Sequence, residues 1–216
     1  MSVKSYSETY KKRTRFFVVS GIIGAGKTTL TTQLGEKLNL EKVYEPVKEN
    51  PYLTKFYEDP AKYGFAMQMF LLNRRFRAHK HIVWGQKDII QDRSIYEDPI
   101  FAKMLSEDNL IEPLDFETYT ETFANMINFL RRPDLVIYLD CEAKTAHERI
   151  QKRGRECEKG ISVEYLESLK KGYESWLEDI EGAIPVVKLD WNKFQSTDDV
   201  VKKIKEALPK QTNYFL

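Results

Sequence analysis

A glycine-rich segment near the amino terminus has the residue types and spacing of a phosphate-binding loop. Gly21 is followed by four residues and then by Gly26, Lys27 and Thr28. Glycines let the backbone approach phosphates, lysine reaches the outer phosphates and the hydroxyl binds Mg²⁺. The pattern predicts binding of a nucleotide with Mg²⁺, but it does not define the acceptor of the terminal phosphate. The loop comprises Gly21, Ile22, Ile23, Gly24, Ala25, Gly26, Lys27, Thr28 and Thr29.

Two further apolar runs end in charged side chains that could take part in phosphoryl transfer. Glu45 lies at the end of the run 42–46, where the following proline presses it into an extended backbone. It is either a surface glutamate at a turn or a general base for an attacking hydroxyl. Asp92 ends the run 87–92, and Arg93 follows directly. These two residues could serve Mg²⁺ and a reacting oxygen, or they could be an exposed ion pair.

A third charged cluster lies within the segment RIQKRGRECEKG. Arg149 and Arg153 are four residues apart and share one helix face, and Arg155 follows after the helix-breaking Gly154. One interpretation is a solvated basic helix end. The other is a mobile lid at about 150–161, whose arginines neutralise charge on a transferred phosphoryl group.

Short apolar runs alternate with longer helical patterns, which is typical of a parallel α/β sheet. Strands are predicted at 15–20, 42–46, 87–92, 134–140 and 184–190. Helices are predicted from Gly26, over 60–83, through 116–130, before the arginine cluster, over 163–180 and from Ser196. Ligands bind at the carboxyl ends of strands in such sheets, so the loop, Glu45 and Asp92 should meet there.

Composition limits the other possibilities. The 216 residues predict one domain from 15 to 216 after a flexible lead at 1–14. The formal net charge of +1 favours neither nucleic acid nor an anionic membrane as a partner. No apolar run is long enough to span a membrane, and no secretion signal is recognisable. Two cysteines, Cys141 and Cys157, indicate plain thiols and a cytoplasmic location.

In their order along the chain, these segments resemble the deoxyribonucleoside kinase family. The resemblance is carried by GIIGAGKTT, by the Glu-Pro pair at Glu45, by the helix YGFAMQMFLLNRR, by DRSIYED from Asp92 and by RIQKRGRECEKGI from Arg149. It extends from about residue 15 to about residue 195. The DRS and EDP segments are most similar to the bacterial-type deoxyadenosine kinase branch.

The resemblance implies a P-loop kinase-like three-layer α/β fold with a five-stranded parallel sheet. It also implies ATP-dependent phosphorylation of a deoxyribonucleoside at its 5′-hydroxyl, in nucleotide salvage. Deoxyadenosine would be favoured, followed by deoxyguanosine or deoxycytidine. Glu45 would be the general base, and Thr28 and Asp92 would organise Mg²⁺. The phosphoryl group would be stabilised by Lys27, Arg93, Arg149, Arg153 and Arg155, and Arg153 would also contact ATP.

The resemblance likewise implies the positions that bind the nucleoside. Tyr57 and Glu158 match positions that hold the sugar 3′-hydroxyl, and Phe101 matches a ring that stacks on the base. Gln68, Arg75 and Asp98 match positions that read the base, and Glu45 and Arg93 are also implied to bind the substrate. Gln68 and Arg75 are seven residues apart on one helix face, and a glutamine can pair two-fold with adenine. From periodicity alone, both could equally be helix-surface groups.

Other functions remain open at this point. A GTPase is disfavoured, because NKFQ at 192–195 lacks the aspartate of a guanine-reading motif. A thymidylate-kinase-like enzyme shares the loop and a DR motif, and a non-catalytic scaffold would share the fold. The apolar stripe near Phe123 and Leu130, together with the family resemblance, predicts a homodimer through a helical bundle.

Overall fold

The computed structural model describes residues 14–45, 50–85 and 87–208. Five parallel strands form one sheet, as the sequence predicts: β1 is Phe16–Ser20, β2 is Glu41–Val43, β3 is Ile89–Asp92, β4 is Leu135–Asp140 and β5 is Val186–Asp190. The end of the predicted second strand, from Pro46 onward, lies outside the described residues, as does nearly all of the lead at 1–14.

The strand order is β2-β3-β1-β4-β5, so β1 lies at the centre of the sheet. Every residue of β1 is buried, which fits a strand that is covered on both faces. The register pairs Val19 with Asp92 and Val43 with Gln91. The loop after β1, the carboxylate of Asp92 and the end of β2 therefore converge at one edge of the sheet.

Eight helices surround this sheet within the described part of the chain. They are α1 (Lys27–Lys37), α2 (Leu53–Glu58), α3 (Pro60–Trp84), α4 (Asp98–Glu107), α5 (Pro113–Ile127), α6 (Ala143–Arg153), α7 (Val163–Ile180) and α8 (Thr197–Ala207). Short 3-10 turns follow β3 and α6, at Ile95–Glu97 and Glu156–Glu158. None of the helices among the described residues has the length and apolar character needed to cross a bilayer.

Local signals explain where several helices begin and end. Asp59 accepts a hydrogen bond from the Lys62 amide at 3.1 Å, and Pro60 occupies the first turn of α3. Ser196 caps α8 by accepting from the Asp199 amide at 3.1 Å. Gly154 ends α6 with φ 65, in the left-handed conformation that glycine adopts without a Cβ penalty.

The sequence predicts no helix at the segments that form α2 and α4. Six residues form α2, too few to produce a recognisable apolar period. The acidic residues and Pro99 at the start of α4 do not suggest a helix in the sequence, although proline is well suited to a first helical turn.

An apolar cluster joins α3, α4 and α5 on one side of the molecule. Its buried members are Leu72, Ile95, Ala102 and Tyr119, and the predicted stripe of Phe123, Met126 and Leu130 packs against them partly buried. Two large side chains, one in α5 and one just after it, are strongly exposed: Leu114 is 73% exposed and Phe129 is 81% exposed. The stripe therefore contributes to the core while part of its apolar surface remains uncovered.

Candidate active site

The loop between β1 and α1 has a backbone that depends on glycine. Gly24 and Gly26 have φ values of 82 and 103, and a Cβ on Gly24 would lie 2.4 Å from the Ala146 carbonyl oxygen. The helix α1 begins at Lys27, immediately after this turn. The amide groups at its start therefore face the same space as the loop, which suits an anionic ligand.

Lys27 is buried inside the loop that it belongs to. Its Nζ donates hydrogen bonds to the carbonyl oxygens of Gly21 at 3.0 Å and Ile22 at 2.8 Å. Burial, together with the charge of Arg93, lowers the pKa of Lys27 to about 8. The Lys27 ammonium group is thus fixed at the loop, and it loses its proton more easily than the ammonium group of an exposed lysine does.

Thr28 and Asp92 come together next to the loop. The Thr28 hydroxyl donates to Asp92 Oδ2 at 2.5 Å. The other carboxylate oxygen, Oδ1, is buried without a hydrogen-bond partner. Burial raises the pKa of Asp92, and Lys27 opposes this rise. A hydroxyl beside a carboxylate with a free oxygen is a suitable partial ligand set for Mg²⁺, which prefers oxygen donors and keeps several waters.

Glu45 lies at the carboxyl end of β2, opposite Arg93. Because Val43 pairs with Gln91, Glu45 and Arg93 each stand two residues beyond that pair. Arg93 Nε lies 3.9 Å from Glu45 Oε2, and Arg75 Nη2 pairs with Glu45 Oε1. Two arginines therefore hold this carboxylate beside the phosphate-binding loop.

These cations determine the ionisation of Glu45. Burial alone would raise its pKa, but Arg93, Arg75 and Lys27 together lower it to about 2. The depressed pKa means that Glu45 is an ionised acceptor throughout the neutral range. Its contribution to stability is present above the unfolded pKa of 4.5 and is lost as the pH falls through about 2.

The predicted base-reading residues lie next to each other on α3 and α4. Gln68 is 2% exposed, and its Oε1 has no hydrogen-bond partner. Arg75 Nη1 pairs with the fully buried Asp98, so Arg75 connects Asp98 with Glu45. The Phe101 ring has the Arg93 guanidinium 4.6 Å from its centre. The Phe101 ring and the unpaired amide oxygen of Gln68 thus border the same space, next to Arg75 and Arg93.

The segment after α6 brings its arginines to a buried carboxylate. Arg153 Nη2 lies 2.5 Å from Glu158 Oε2, and Arg155 Nη1 lies 3.2 Å from Glu158 Oε1. Glu158 is 5% exposed, whereas the arginine side chains are 36% and 42% exposed. Tyr57 on α2 also lines this part of the cleft. Both arginines are therefore partly available to a ligand.

Arg149 occupies a different place from the other arginines of its segment. Its Nη1 donates to the Ala25 carbonyl at 3.0 Å, and its Nη2 donates to the carbonyls of Trp191 at 2.9 Å and Asn192 at 3.0 Å. Its guanidinium also stacks on the Phe194 ring, at 4.3 Å. Arg149 does not line the cleft. Its hydrogen bonds instead connect the back of the loop with the end of β5.

A single cleft of about 550 Å³ joins the loop, Glu45, the α3 residues and the segment after α6. Of the predicted site residues, Asp98 lies behind Arg75, and Gly21, Ile22 and Ala25 form the back of the loop. Sequence reasoning missed several lining residues, because periodicity marks apolar and aromatic side chains as core without showing which of them border a cavity. They include Tyr44, Leu53, Phe56, Met67 and Tyr165.

Comparison with known proteins identifies the family of this chain. The family model described as deoxynucleoside kinase matches residues 17–212. A deoxyadenosine kinase of Dictyostelium discoideum is 48% identical over 187 residues, which cover 87% of this chain and 76% of that protein. A deoxyadenosine/deoxycytidine kinase of Bacillus subtilis (strain 168) is 36% identical over 195 residues, which cover 89% of each chain.

Solved structures give the same result. The deoxyadenosine kinase from M. mycoides with bound dATP has a TM-score of 0.81 and 34% sequence identity, with 88% of this chain and 99% of that chain covered. The same kinase with bound dCTP has a TM-score of 0.80 and 35% identity over 88% and 99% of the two chains. The chain therefore belongs to the deoxynucleoside kinase family and is an enzyme that phosphorylates deoxynucleosides.

Proposed function

We propose that the enzyme transfers the γ-phosphoryl group of ATP to the 5′-hydroxyl of deoxyadenosine in preference to other deoxynucleosides. The observation that carries the base preference is Gln68, whose buried Oε1 lacks a partner and whose side chain lines the cleft. A glutamine amide can accept from the adenine amino group while it donates to a ring nitrogen. Deoxyguanosine and deoxycytidine rank next.

Glu45 is the group best suited to accept the proton of the attacking hydroxyl. It is ionised at neutral pH and lies between the loop and the α3 residues, where the sugar of a bound nucleoside would meet the phosphate. General-base assistance contributes about 10²–10⁴-fold to a rate. The low pKa keeps the Glu45 carboxylate ionised, but it also makes this carboxylate a weaker base. We therefore expect orientation of the hydroxyl to be as important as proton removal.

The cationic side chains around the cleft would stabilise the transferred phosphoryl group. Lys27 and Arg93 approach from the loop side, and Arg153 and Arg155 from the segment after α6. Charge that develops on phosphoryl oxygens is stabilised strongly by donors already in position. We assign Arg149 a different role from the one that the sequence predicts, namely to position the loop through its carbonyl contacts.

Thr28 and Asp92 would hold Mg²⁺. Their oxygens are adjacent, and Asp92 Oδ1 is free to act as a ligand. When bound, the ion would neutralise charge on the phosphates of the nucleotide. The part played by the chain is to keep the two ligands at the end of β3 and the start of α1.

Tyr57 and Glu158 would contact the 3′-hydroxyl of the sugar. Both line the cleft, and Glu158 is already oriented by Arg153 and Arg155. A carboxylate that both arginines hold can accept a hydrogen bond from a sugar hydroxyl without moving. This arrangement would connect sugar recognition with the arginines of the lid at about 150–161.

We further propose that the enzyme is a homodimer in which α3 and α5 of two copies form a helical bundle. Support comes from the partly buried apolar side chains on these helices, including Phe76, Phe116 and Phe123, and from the exposed Phe129 next to them. Analytical ultracentrifugation should give a species of twice the 25.4 kDa chain mass. A single species of chain mass would reject the dimer.

A phosphorylation assay with labelled ATP and a panel of nucleosides and nucleoside monophosphates would test the proposed substrate. We expect the highest kcat/KM for deoxyadenosine and the lowest for thymidine. Transfer to thymidine with the highest efficiency would contradict the base assignment. Replacement of Gln68 by Leu should reduce kcat/KM for deoxyadenosine by about tenfold or more, because a paired polar group is lost.

A further inference from the structure

Glu97 is a carboxylate for which neither the proposed reaction nor substrate binding has a use. It ends the 3-10 turn that follows β3 and is 0% exposed. A buried carboxylate is unfavourable unless hydrogen bonds satisfy it. Both oxygens of Glu97 have such partners: Oε1 accepts from the Ser94 amide at 2.8 Å, and Oε2 accepts from the Tyr173 hydroxyl at 2.8 Å.

The Ser94 amide is part of the peptide group that follows Arg93. Arg93 has a φ of 62, in the left-handed region, which is unfavourable for a residue other than glycine. The amide of Arg93 itself donates to the Val19 carbonyl at 3.1 Å. The peptide groups on both sides of Arg93 are therefore fixed, one by the central strand and the other by Glu97.

This backbone conformation determines where the Arg93 side chain lies. From it, Arg93 Nη2 reaches the Gly21 carbonyl at 3.2 Å, and the guanidinium covers the Phe101 ring. An unusual conformation persists only when its surroundings hold it in place. We propose that Glu97 is a positioning residue for phosphoryl transfer, which acts by holding the left-handed backbone of Arg93. This inference depends on the proposed role of Arg93.

Tyr173 completes the arrangement from α7. Its hydroxyl orients Oε2 of Glu97, and its ring meets the Phe101 ring edge-on at 6.4 Å. Tyr173 is itself 0% exposed, so it has little freedom to turn away. The helix that follows the lid segment therefore supports the turn that carries Arg93.

A double-mutant cycle with Arg93→Ala and Glu97→Ala tests this role. We expect Glu97→Ala to reduce kcat by about tenfold or more, as the left-handed conformation is no longer held. The dissociation constants for ATP and nucleoside should change by less than about threefold, because the change affects the transferred group. In the Arg93→Ala background, Glu97→Ala should have no further effect on kcat. Glu97→Gln should restore most of the rate, since it still accepts from the Ser94 amide.

Two other variants keep the test decisive. Tyr173→Phe removes one hydroxyl and should lower kcat in the same direction, even if Glu97→Ala fails to fold. Asp199→Ala disturbs a comparable capping contact at the exposed start of α8, where Asp199 Oδ2 lies 2.6 Å from Ser196 Oγ, and should leave kcat unchanged. If the two substitutions lowered kcat independently, so that their effects multiplied, the role of Glu97 would be rejected while that of Arg93 remained. The same conclusion would follow if Glu97→Ala kept the wild-type kcat while Arg93→Ala was impaired. A wild-type kcat for Arg93→Ala would reject the role of Arg93 as well.

Discussion

Arg75 on α3 forms an ion pair with Glu45 at the end of β2, and the same guanidinium pairs with Asp98 at the start of α4. A residue proposed to read the base is thus joined to the residue proposed to accept the proton. All three side chains are largely buried, so their charges interact more strongly than surface charges do. If both proposed roles hold, Arg75 would organise base recognition and the reacting hydroxyl together.

Replacement of Glu45 by Gln should lower kcat by about 10²–10⁴-fold, because the acceptor for the hydroxyl proton is lost. The dissociation constant for the nucleoside should change little, since Gln68 and Phe101 remain. Steady-state kinetics and nucleoside titration would measure the two effects. Glu41→Gln, an exposed change on the same strand, is the matched control and should leave both values unchanged. Normal turnover in Glu45→Gln would remove this residue from the proton-accepting role.

Replacement of Asp98 by Asn should destabilise the protein by about 3 kcal/mol, because a buried arginine loses one of its two charged partners. Denaturant unfolding would measure this change. Asp198→Asn breaks an exposed pair with Lys37 at 2.8 Å and should cost less than about 1 kcal/mol. Equal losses for the two variants would show that Asp98 does not depend on its buried pair.

The pKa of Lys27 predicts a pH dependence for ATP use. Because burial lowers this pKa to about 8, the ammonium group of the free enzyme is lost above that pH. kcat/KM for ATP reports the free enzyme and should therefore fall above about pH 8, as the lysine loses its charge. Lys27→Arg retains its charge to far higher pH, so any remaining activity should not show this fall. An identical alkaline limb in both proteins would assign it to another group.

Replacement of Arg149 by Ala should raise KM for ATP by about tenfold, because several hydrogen bonds from a charged donor to the loop and β5 are lost. KM for the nucleoside should change much less, since Arg149 does not line the cleft. Initial-rate kinetics with each substrate varied would separate the two. Lys152→Ala, an exposed change on the same helix, is the control. A loss confined to kcat would instead favour direct contact with the phosphoryl group.

Replacement of Tyr57 by Phe should reduce discrimination between 2′-deoxynucleosides and their 3′-deoxy analogues. The lost hydroxyl leaves Glu158 as the remaining contact, so we expect a change of about tenfold in the ratio of kcat/KM values. Tyr63→Phe, at a tyrosine that does not line the cleft, should keep the wild-type ratio. If the wild-type enzyme used both kinds of sugar equally well, neither Tyr57 nor Glu158 would have the proposed role.

Local patterns in the sequence predict the sheet, the loop and the strand ends, and the sheet and the enzyme class are confirmed. The phosphate-binding loop is recognisable because Gly21 to Thr28 are consecutive in sequence. Asp92 is recognisable because it ends an apolar run, which places it at the end of a strand. The Arg75 contacts could not be derived in this way, because Glu45 lies 30 residues away in sequence and meets it only through packing. The proposed role of Glu97 is only partly visible in the sequence: Ser94 and Glu97 have the spacing of a capping box, but the contact with Tyr173 spans 76 residues and arises only through packing. The cytoplasmic location stays a prediction.

Lys27 already holds two main-chain oxygens of its own loop, those of Gly21 and Ile22. The ammonium has three N–H donors, so one of them remains for a phosphate oxygen of an arriving nucleotide while both carbonyl contacts are kept. A nucleoside without phosphates offers only neutral acceptors, which form weaker hydrogen bonds with a cation than phosphate oxygens do. We therefore expect this remaining donor to make the loop bind the phosphate donor in preference to the nucleoside.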